Sequence, residues 1–190
     1  MHGDPEVLSL LNEQLTGELT AINQYFLRSK MQHYWGFTEL AAQTRRESFD
    51  EMNHAEWITD RIVILEGVPH RERPDHRGNR ARGQQSGTEA LTRSWSAPSR
   101  NYQRLFSVRV GETLREQFEA DLAIEREARA RLQPGIVMCR EKQDTTSAVL
   151  LERIMADEET HIDYLETQLE LMDKLGDALY AAQCVSRPPT

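Results

Sequence analysis

Hydrophobic residues recur at the three- and four-residue spacing of an amphipathic α-helix in four long stretches of the chain. These stretches predict helices at about 4–33, 38–65, 111–132 and 145–175. Asp4 and Pro5 supply a capping residue and a proline at the first helical position, and Gly67 and Gly176 mark the ends of the second and fourth helices. The third helix is predicted to end before Pro134, with a resumption beyond the proline left open.

The connections between these stretches differ in length. A short connection around Gly36 makes the first two helices antiparallel neighbours, whereas the segment between the second and third is long enough to cross to the far end of a bundle. Residues 177–183 predict a short fifth helix, followed by a tail to residue 190. We therefore predict an all-α four-helix bundle with one long crossover connection and a short C-terminal helix, in a single domain over residues 1–190.

The crossover contains a segment of unusual composition. Residues 70–100 hold seven Arg, three acidic residues and three Gly, so seven positive charges less three negative charges leave a net charge of about +4. Few residues in this segment could be buried in a core, and we expect a flexible insertion.

Overall composition narrows the function classes. The 190 residues are 38% hydrophobic and carry a net charge of -8, which argues against a general nucleic-acid binder and suits a protein that attracts cations. Cys139 and Cys184 form no repeated pattern, so neither a disulfide framework nor a thiolate metal site is expected. No stretch reads as a signal peptide or a membrane span, and we predict a soluble cytoplasmic protein.

Two copies of the pattern Glu-x-x-His occur at helical positions on the apolar face, at Glu51 with His54 and at Glu158 with His161. Residues three apart are neighbours on a helix surface, so each pair can reach one ion. One such pair is common by chance on a solvated face. The heptad lines of the first and third helices turn two further carboxylates inward, those of Glu18 and Glu125, and two pairs with two inward carboxylates favour a metal centre.

Four buried carboxylates need compensating charge, because each uncompensated ion would cost several kcal/mol in a domain whose total stability is about 5–15 kcal/mol. Two divalent cations balance the charge, and two imidazoles suit a redox-active first-row metal better than calcium or magnesium. We expect Glu51 and Glu158 to bridge the ions, with Glu18 and Glu125 each binding one. The same ligand arrangement is known from ferritin-like di-iron proteins. Tyr25, one heptad after Glu18, is either a core aromatic or a side chain that serves the site through a hydrogen bond or as a radical.

Several segments resemble bacterioferritins, the haem-containing bacterial ferritins. The similarity covers roughly residues 1–69 and 101–187 and is carried by the runs at 3–5, 10–12, 19–26, 47–56, 121–125 and 157–166. It implies a ferritin-like fold, a hollow shell of 24 subunits and a ferroxidase centre in each subunit. The ligands implied for two iron ions per subunit are Glu18, Glu51, His54, Glu125, Glu158 and His161.

The resemblance also assigns a role to Met52, which spacing alone would place at an ordinary subunit contact on a stripe with Phe49, Glu56 and Thr59. It implies that Met52 is an axial ligand of a b-type haem shared between two subunits. An electron donor of the ferredoxin type is implied as a further partner, and no membrane or nucleic-acid partner is expected.

Three features depart from that family pattern. Residues 70–100 have no recognised counterpart. Arg46 stands where some relatives carry a His that, with the residue matching Asp50, binds an additional iron on the inner wall, and a cation at this position is expected to disfavour that site. Arg129 follows Glu125 on nearly the same face and must reach the bundle edge or pair with a carboxylate.

The sequence therefore predicts an iron-storage protein that oxidises Fe²⁺ at the six-ligand centre and holds the product as a mineral inside a shell. Two alternatives remain at this point. One is a di-iron oxygenase or peroxidase on the same bundle. The other is a non-enzymatic shell or DNA-coating subunit in which the Arg-rich insertion is the working part.

Overall fold

Five α-helices make up the computed structural model, which describes residues 2–69 and 106–185. The helices are α1 (Pro5–Tyr34), α2 (Thr38–Ile64), α3 (Leu114–Glu141), α4 (Thr145–Leu175) and α5 (Asp177–Cys184). No strand occurs in these two ranges. The predicted all-α bundle with a short C-terminal helix is confirmed, whereas the predicted insertion at 70–100 lies outside the described residues.

Side-chain caps explain where α1 and α4 begin. Asp4 accepts a hydrogen bond from the Glu6 amide at the start of α1, where Pro5 occupies the first turn. Asp144 accepts from the amide of Ser147 at the start of α4. Each cap satisfies an amide that has no partner within its own helix.

The third helix differs from its prediction at both ends. It begins at Leu114 because Thr113 accepts a hydrogen bond from the Glu116 amide and caps the helix there. It then continues through Pro134 to Glu141 without a break. The residues on both sides of the proline explain the continuation, since Leu132 and Ile136 are both buried in the core and their packing offsets the lost backbone hydrogen bond.

Two hydrophobic clusters fill the bundle. The first contains Leu11, Ile58, Leu132 and Ile154 among its buried members. The second contains Leu40, Phe118, Leu122, Leu165 and Met172. In α2, α3 and α4 the predicted ligands lie between the residues that belong to the first cluster and the residues that belong to the second. The site thus lies in the middle of the bundle, with apolar packing on both sides.

The end of the crossover is fastened to α1 by polar side chains. Thr20 accepts a hydrogen bond from the Phe106 amide at 2.8 Å, and Gln24 accepts from the Arg109 amide at 2.8 Å. Arg28 is fully buried and forms an ion pair with Asp121 on α3. These contacts fix α1 against α3, the two helices that carry Glu18 and Glu125.

Within the described ranges, no helix is long and apolar enough to cross a membrane.

Candidate metal centre

The structure brings all six predicted ligand side chains together between the four long helices. They form two groups of four whose ligand atoms lie within 4.8 Å of one another. The first group is Glu18, Glu51, His54 and Glu158, and the second is Glu51, Glu125, Glu158 and His161. Glu51 and Glu158 belong to both groups, as expected for carboxylates placed between two ions.

Both imidazoles face the centre through the same nitrogen. The Nδ1 atom of His54 lies 3.4 Å from Glu51 Oε2 and 3.6 Å from Glu158 Oε1. The Nδ1 atom of His161 lies 3.4 Å from Glu51 Oε1 and 3.8 Å from Glu158 Oε2. Each of the two shared carboxylates therefore presents one oxygen to each histidine.

The spacing of the ligands along their helices produces this arrangement. Positions three apart lie on the same helix face, so Glu51 projects beside His54, and Glu158 beside His161. Single inward positions on the two remaining helices add Glu18, which is 2% exposed, and Glu125, which is 1% exposed.

Several polar atoms at the centre have no hydrogen-bond partner among the described residues. They are Glu51 Oε1, both carboxylate oxygens of Glu158, and the Nδ1 atoms of His54 and His161. Unpartnered buried polar atoms are rare in folded proteins because each costs desolvation free energy. Here five of them converge on one volume, and hard oxygen donors with one imidazole per ion match the requirements of iron.

Burial shifts the pKa values of carboxylates at the centre. Burial and the neighbouring charge of Glu51 raise the pKa of Glu18 to about 8, and the same two causes raise that of Glu158 well above its ordinary value. Burial also acts to raise the pKa of Glu51, but the two imidazoles, each 3.4 Å away, outweigh it and lower that pKa. Glu18 and Glu158 therefore resist ionisation unless positive charge is added beside them.

The imidazoles compensate part of this charge by holding protons. Burial acts to lower the pKa of His54, but the adjacent carboxylates of Glu18 and Glu51 raise it to about 10. Burial likewise opposes protonation of His161, whereas the adjacent carboxylates of neighbouring glutamates raise its pKa well above the ordinary value. A metal ion must displace these protons, so metal binding should strengthen as pH rises.

Four further side chains hold the predicted ligands from outside. Asp157 Oδ2 lies 3.2 Å from His54 Nε2, and Glu47 Oε2 lies 2.8 Å from His161 Nε2. Tyr25 donates a short hydrogen bond to Glu125 Oε1, and Gln14 donates to Glu18 Oε1 at 2.6 Å. Glu18, Glu125 and the two imidazoles thus each have one such partner.

Sequence reasoning anticipated only part of this outer set. A hydrogen bond from Tyr25 was one of its expected roles, whereas Gln14, Glu47 and Asp157 were missed. A usable signal existed for two of them: Gln14 lies four residues before Glu18, and Glu47 lies four before Glu51, so each shares a helix face with a predicted ligand.

A solvent-open cavity of about 390 Å³ reaches the centre. Its lining residues are Asp50, Asn53, His54, Trp57, Arg153, Asp157, Thr160 and His161. The cavity gives a route from solvent to the two imidazoles, past two carboxylates that attract cations.

The remaining residues singled out by sequence lie at the surface. Met52 is 47% exposed and lies three residues after the exposed Phe49, so the two side chains share a face of α2. Arg129 donates a hydrogen bond to Glu159 at 2.8 Å at the bundle edge, which confirms the expected pairing with a carboxylate.

Arg46 is exposed and donates to Gln43 on its own helix. Beside it, Glu47, Asp50 and His161 offer ligand atoms within 4.8 Å of one another. The prediction that Arg46 disfavours an additional inner-wall site stays a prediction.

Comparison with known proteins identifies the relatives of this chain. The ferritin-like domain family matches residues 8–175. The bacterioferritin BfrA of Mycobacterium tuberculosis is 67% identical over 190 residues, covering 100% of both chains, and the bacterioferritin of Streptomyces coelicolor is 50% identical over 187 residues, covering 98% of this chain and 93% of the relative. A solved structure of Mycobacterium tuberculosis BfrA matches with a TM-score of 0.81 at 67% identity and covers 100% of both chains. The chain therefore belongs to the ferritin family, among the bacterioferritins, and is an iron-storage protein.

Proposed function

We propose that this protein is a ferroxidase that oxidises Fe²⁺ at the centre between its four long helices and stores the Fe³⁺ product inside a shell built from copies of the chain. The proposed ligands are Glu18, Glu51, His54, Glu125, Glu158 and His161. The observation that carries the proposal is the convergence of five unpartnered buried polar atoms on this one volume.

The chemistry follows from the donor set. Two Fe²⁺ ions held side by side can give up one electron each, which reduces O₂ to H₂O₂ with two protons, or H₂O₂ to two waters with two protons. Carboxylate oxygens favour the Fe³⁺ product because they are hard, negatively charged ligands. Glu51 and Glu158 hold both ions at one spacing, while Glu18 and Glu125 each bind one.

The surroundings of the centre support turnover. The cavity lined by Asp50 and Asp157 admits Fe²⁺ from solvent and lets the product leave. Asp157 and Glu47 accept from the outer nitrogens of His54 and His161, which leaves each Nδ1 free for an ion.

Anaerobic Fe²⁺ titration followed by exposure to air tests the proposal. The parent should bind two Fe²⁺ per chain and oxidise them rapidly, whereas Glu51→Ala and Glu158→Ala should lose fast oxidation because each removes a ligand shared by both ions. Glu159→Ala is the matched control, since this residue neighbours Glu158 but pairs with Arg129 at the surface. Equal oxidation rates in all four proteins would end the ferroxidase assignment.

The assignment of Met52 to a shared b-type haem forms a second part of the proposal. Its supporting observation is a thioether that is 47% exposed and shares a face of α2 with Phe49, itself 48% exposed, where a two-fold dimer could cover both. A bound haem would supply one-electron transfer, and a donor of the ferredoxin type would reduce it for iron release.

The haem assignment has its own test. Met52→Leu should abolish the b-type visible spectrum of the purified protein while ferroxidation persists, because Met52 lies outside both ligand groups. Val63→Leu is a control for an exposed apolar residue on the same helix. An unchanged spectrum in Met52→Leu would exclude Met52 as the axial ligand.

We also propose that copies of the chain assemble into a shell and that the protein stores iron in the cytoplasm. Light scattering of the purified protein tests the assembly.

A further inference from the structure

The two terminal carboxylates of the centre are held by different kinds of donor. Glu125 accepts from the phenol of Tyr25, and Glu18 accepts from the amide of Gln14. Behind Gln14 stands a third residue, Arg131 of α3, whose Nε donates to Gln14 Oε1 at 3.2 Å. The Glu18 side of the centre is therefore tied to a cation on a neighbouring helix.

Arg131 fixes the orientation of the Gln14 amide. A guanidinium has only hydrogen-bond donors, so the amide atom facing Arg131 must be the oxygen. The amide nitrogen then faces Glu18 Oε1, and Gln14 itself is only 1% exposed, so its amide is shielded from solvent. Glu18 Oε2 remains available to the ligand cluster, at 3.7 Å from His54 Nδ1.

A glycine inside α1 makes this contact sterically feasible. Gly17 lies in the middle of the helix, where glycine is normally unfavourable. A Cβ atom at position 17 would overlap the Nη2 atom of Arg131. The guanidinium therefore crosses α1 at the one place where the side chain is missing, and its other face lies 5.4 Å from the ring of Phe106.

We propose that Arg131 is a positioning residue that acts through Gln14 to hold Glu18 with a single oxygen directed at the metal centre, and that Gly17 is glycine to admit it. The inference rests on the proposed metal centre. Its consequence is that the ion bound by Glu18 and His54 depends on Arg131, whereas the ion bound by Glu125 and His161 does not.

The direction of the change in metal affinity distinguishes a positioning role of Arg131 from a purely electrostatic one. A positive side chain near a cation site repels the cation, so removal of Arg131 should tighten metal binding if charge alone acted. Loss of positioning acts in the opposite direction, because partners that orient a ligand typically contribute 10–100-fold in metal affinity.

Co²⁺ titration of the assembled full chain, followed by visible absorption, tests the proposal without oxidation chemistry. The parent should bind two Co²⁺ per chain. Arg131→Met should weaken one of the two binding steps by about tenfold and leave the other unchanged. Arg129→Met is the matched control, since Arg129 lies on the same helix and pairs with Glu159 at the bundle edge.

Gly17→Ala provides a second variant that leaves Arg131 in place. It should raise or preserve the melting temperature, because alanine favours the helix, yet weaken the same Co²⁺ step. Adding Arg131→Met to Gly17→Ala should cause no further loss, since both changes break the same contact. Unchanged or tighter Co²⁺ binding in both single variants would overturn the role of Arg131. Fewer than two Co²⁺ in the parent would instead overturn the metal centre itself.

Discussion

Glu18→Gln should stabilise the metal-free protein, because glutamine has the shape of the protonated side chain and carries no proton to retain. Glu18 is 2% exposed, and burial with the charge of Glu51 raises its pKa from 4.5 to about 8. At pH 7 the folded metal-free protein therefore keeps a proton that the unfolded chain releases. Holding that proton from pH 4.5 to pH 7 costs about 3 kcal/mol, at roughly 1.4 kcal/mol for each pH unit.

The pH dependence of this stabilisation has a definite sign. A carboxyl group whose pKa is raised by folding contributes nothing below its unfolded pKa, and it destabilises the fold increasingly as pH rises toward the folded pKa. The difference in unfolding free energy between Glu18→Gln and the parent should therefore be near zero at about pH 4.5 and grow up to about pH 8.

Thermal unfolding in excess chelator at fixed protein concentration measures the effect. For a chain of this size 1 kcal/mol corresponds to roughly 2–4 °C, so the variant should melt about 6–12 °C above the parent at pH 7. Saturating Zn²⁺ should remove most of this difference, because binding at 100-fold excess over Kd adds about 2.7 kcal/mol per site and the variant lacks a ligand of one site.

Glu13→Gln is the control for this experiment, since Glu13 is exposed on the same helix. It should shift neither the metal-free nor the metal-bound melting temperature appreciably. If Glu18→Gln melted at or below the parent temperature in chelator at pH 7, the buried carboxylate would not be a cost to the metal-free fold, and the electrostatic reasoning would be refuted.

Two further changes test the surroundings of the centre. Asp121→Asn should destabilise the protein by about 3–5 kcal/mol in urea unfolding, because it leaves Arg28 buried without its ion-pair partner. The double change Arg28→Met with Asp121→Leu should recover most of the loss, and an Asp121→Asn variant as stable as the parent would contradict this account. Asp157→Asn should weaken one Co²⁺ binding step by roughly tenfold, because it removes the carboxylate that accepts from His54 Nε2, whereas Asp163→Asn, on the exposed side of the same helix, should leave both steps unchanged.

The limits of sequence prediction for the fold are clearest in α3. Periodicity located the helix, because the buried positions recur at the spacing of a helix face, but it misplaced both ends. Gly111 is buried by contacts to the following turn, and Thr113 supplies the actual cap. Pro134 is a strong local stop signal, yet the core contacts of Leu132 and Ile136 override it, and such contacts depend on helices distant in sequence.

The candidate centre shows the same limit in its own chemistry. The six predicted ligands could be found because a helix places residues three or seven apart on one face, so a carboxylate on an apolar line must point inward. The face of a helix does not specify which residue of another helix it meets. Tyr25 reaches Glu125 on α3, and Arg131 reaches Gln14 on α1, across separations of 100 and 117 residues.

Gly17 illustrates what is needed to make such contacts predictable. By itself, a glycine in the middle of a helix only lowers the stability of that helix. In the structure it is the gap through which Arg131 approaches Gln14, which in turn donates to the buried Glu18. A helix that tolerates glycine and a buried carboxylate one residue apart is compensated from outside itself, by a neighbouring cation on one side and by the metal ions proposed for the centre on the other.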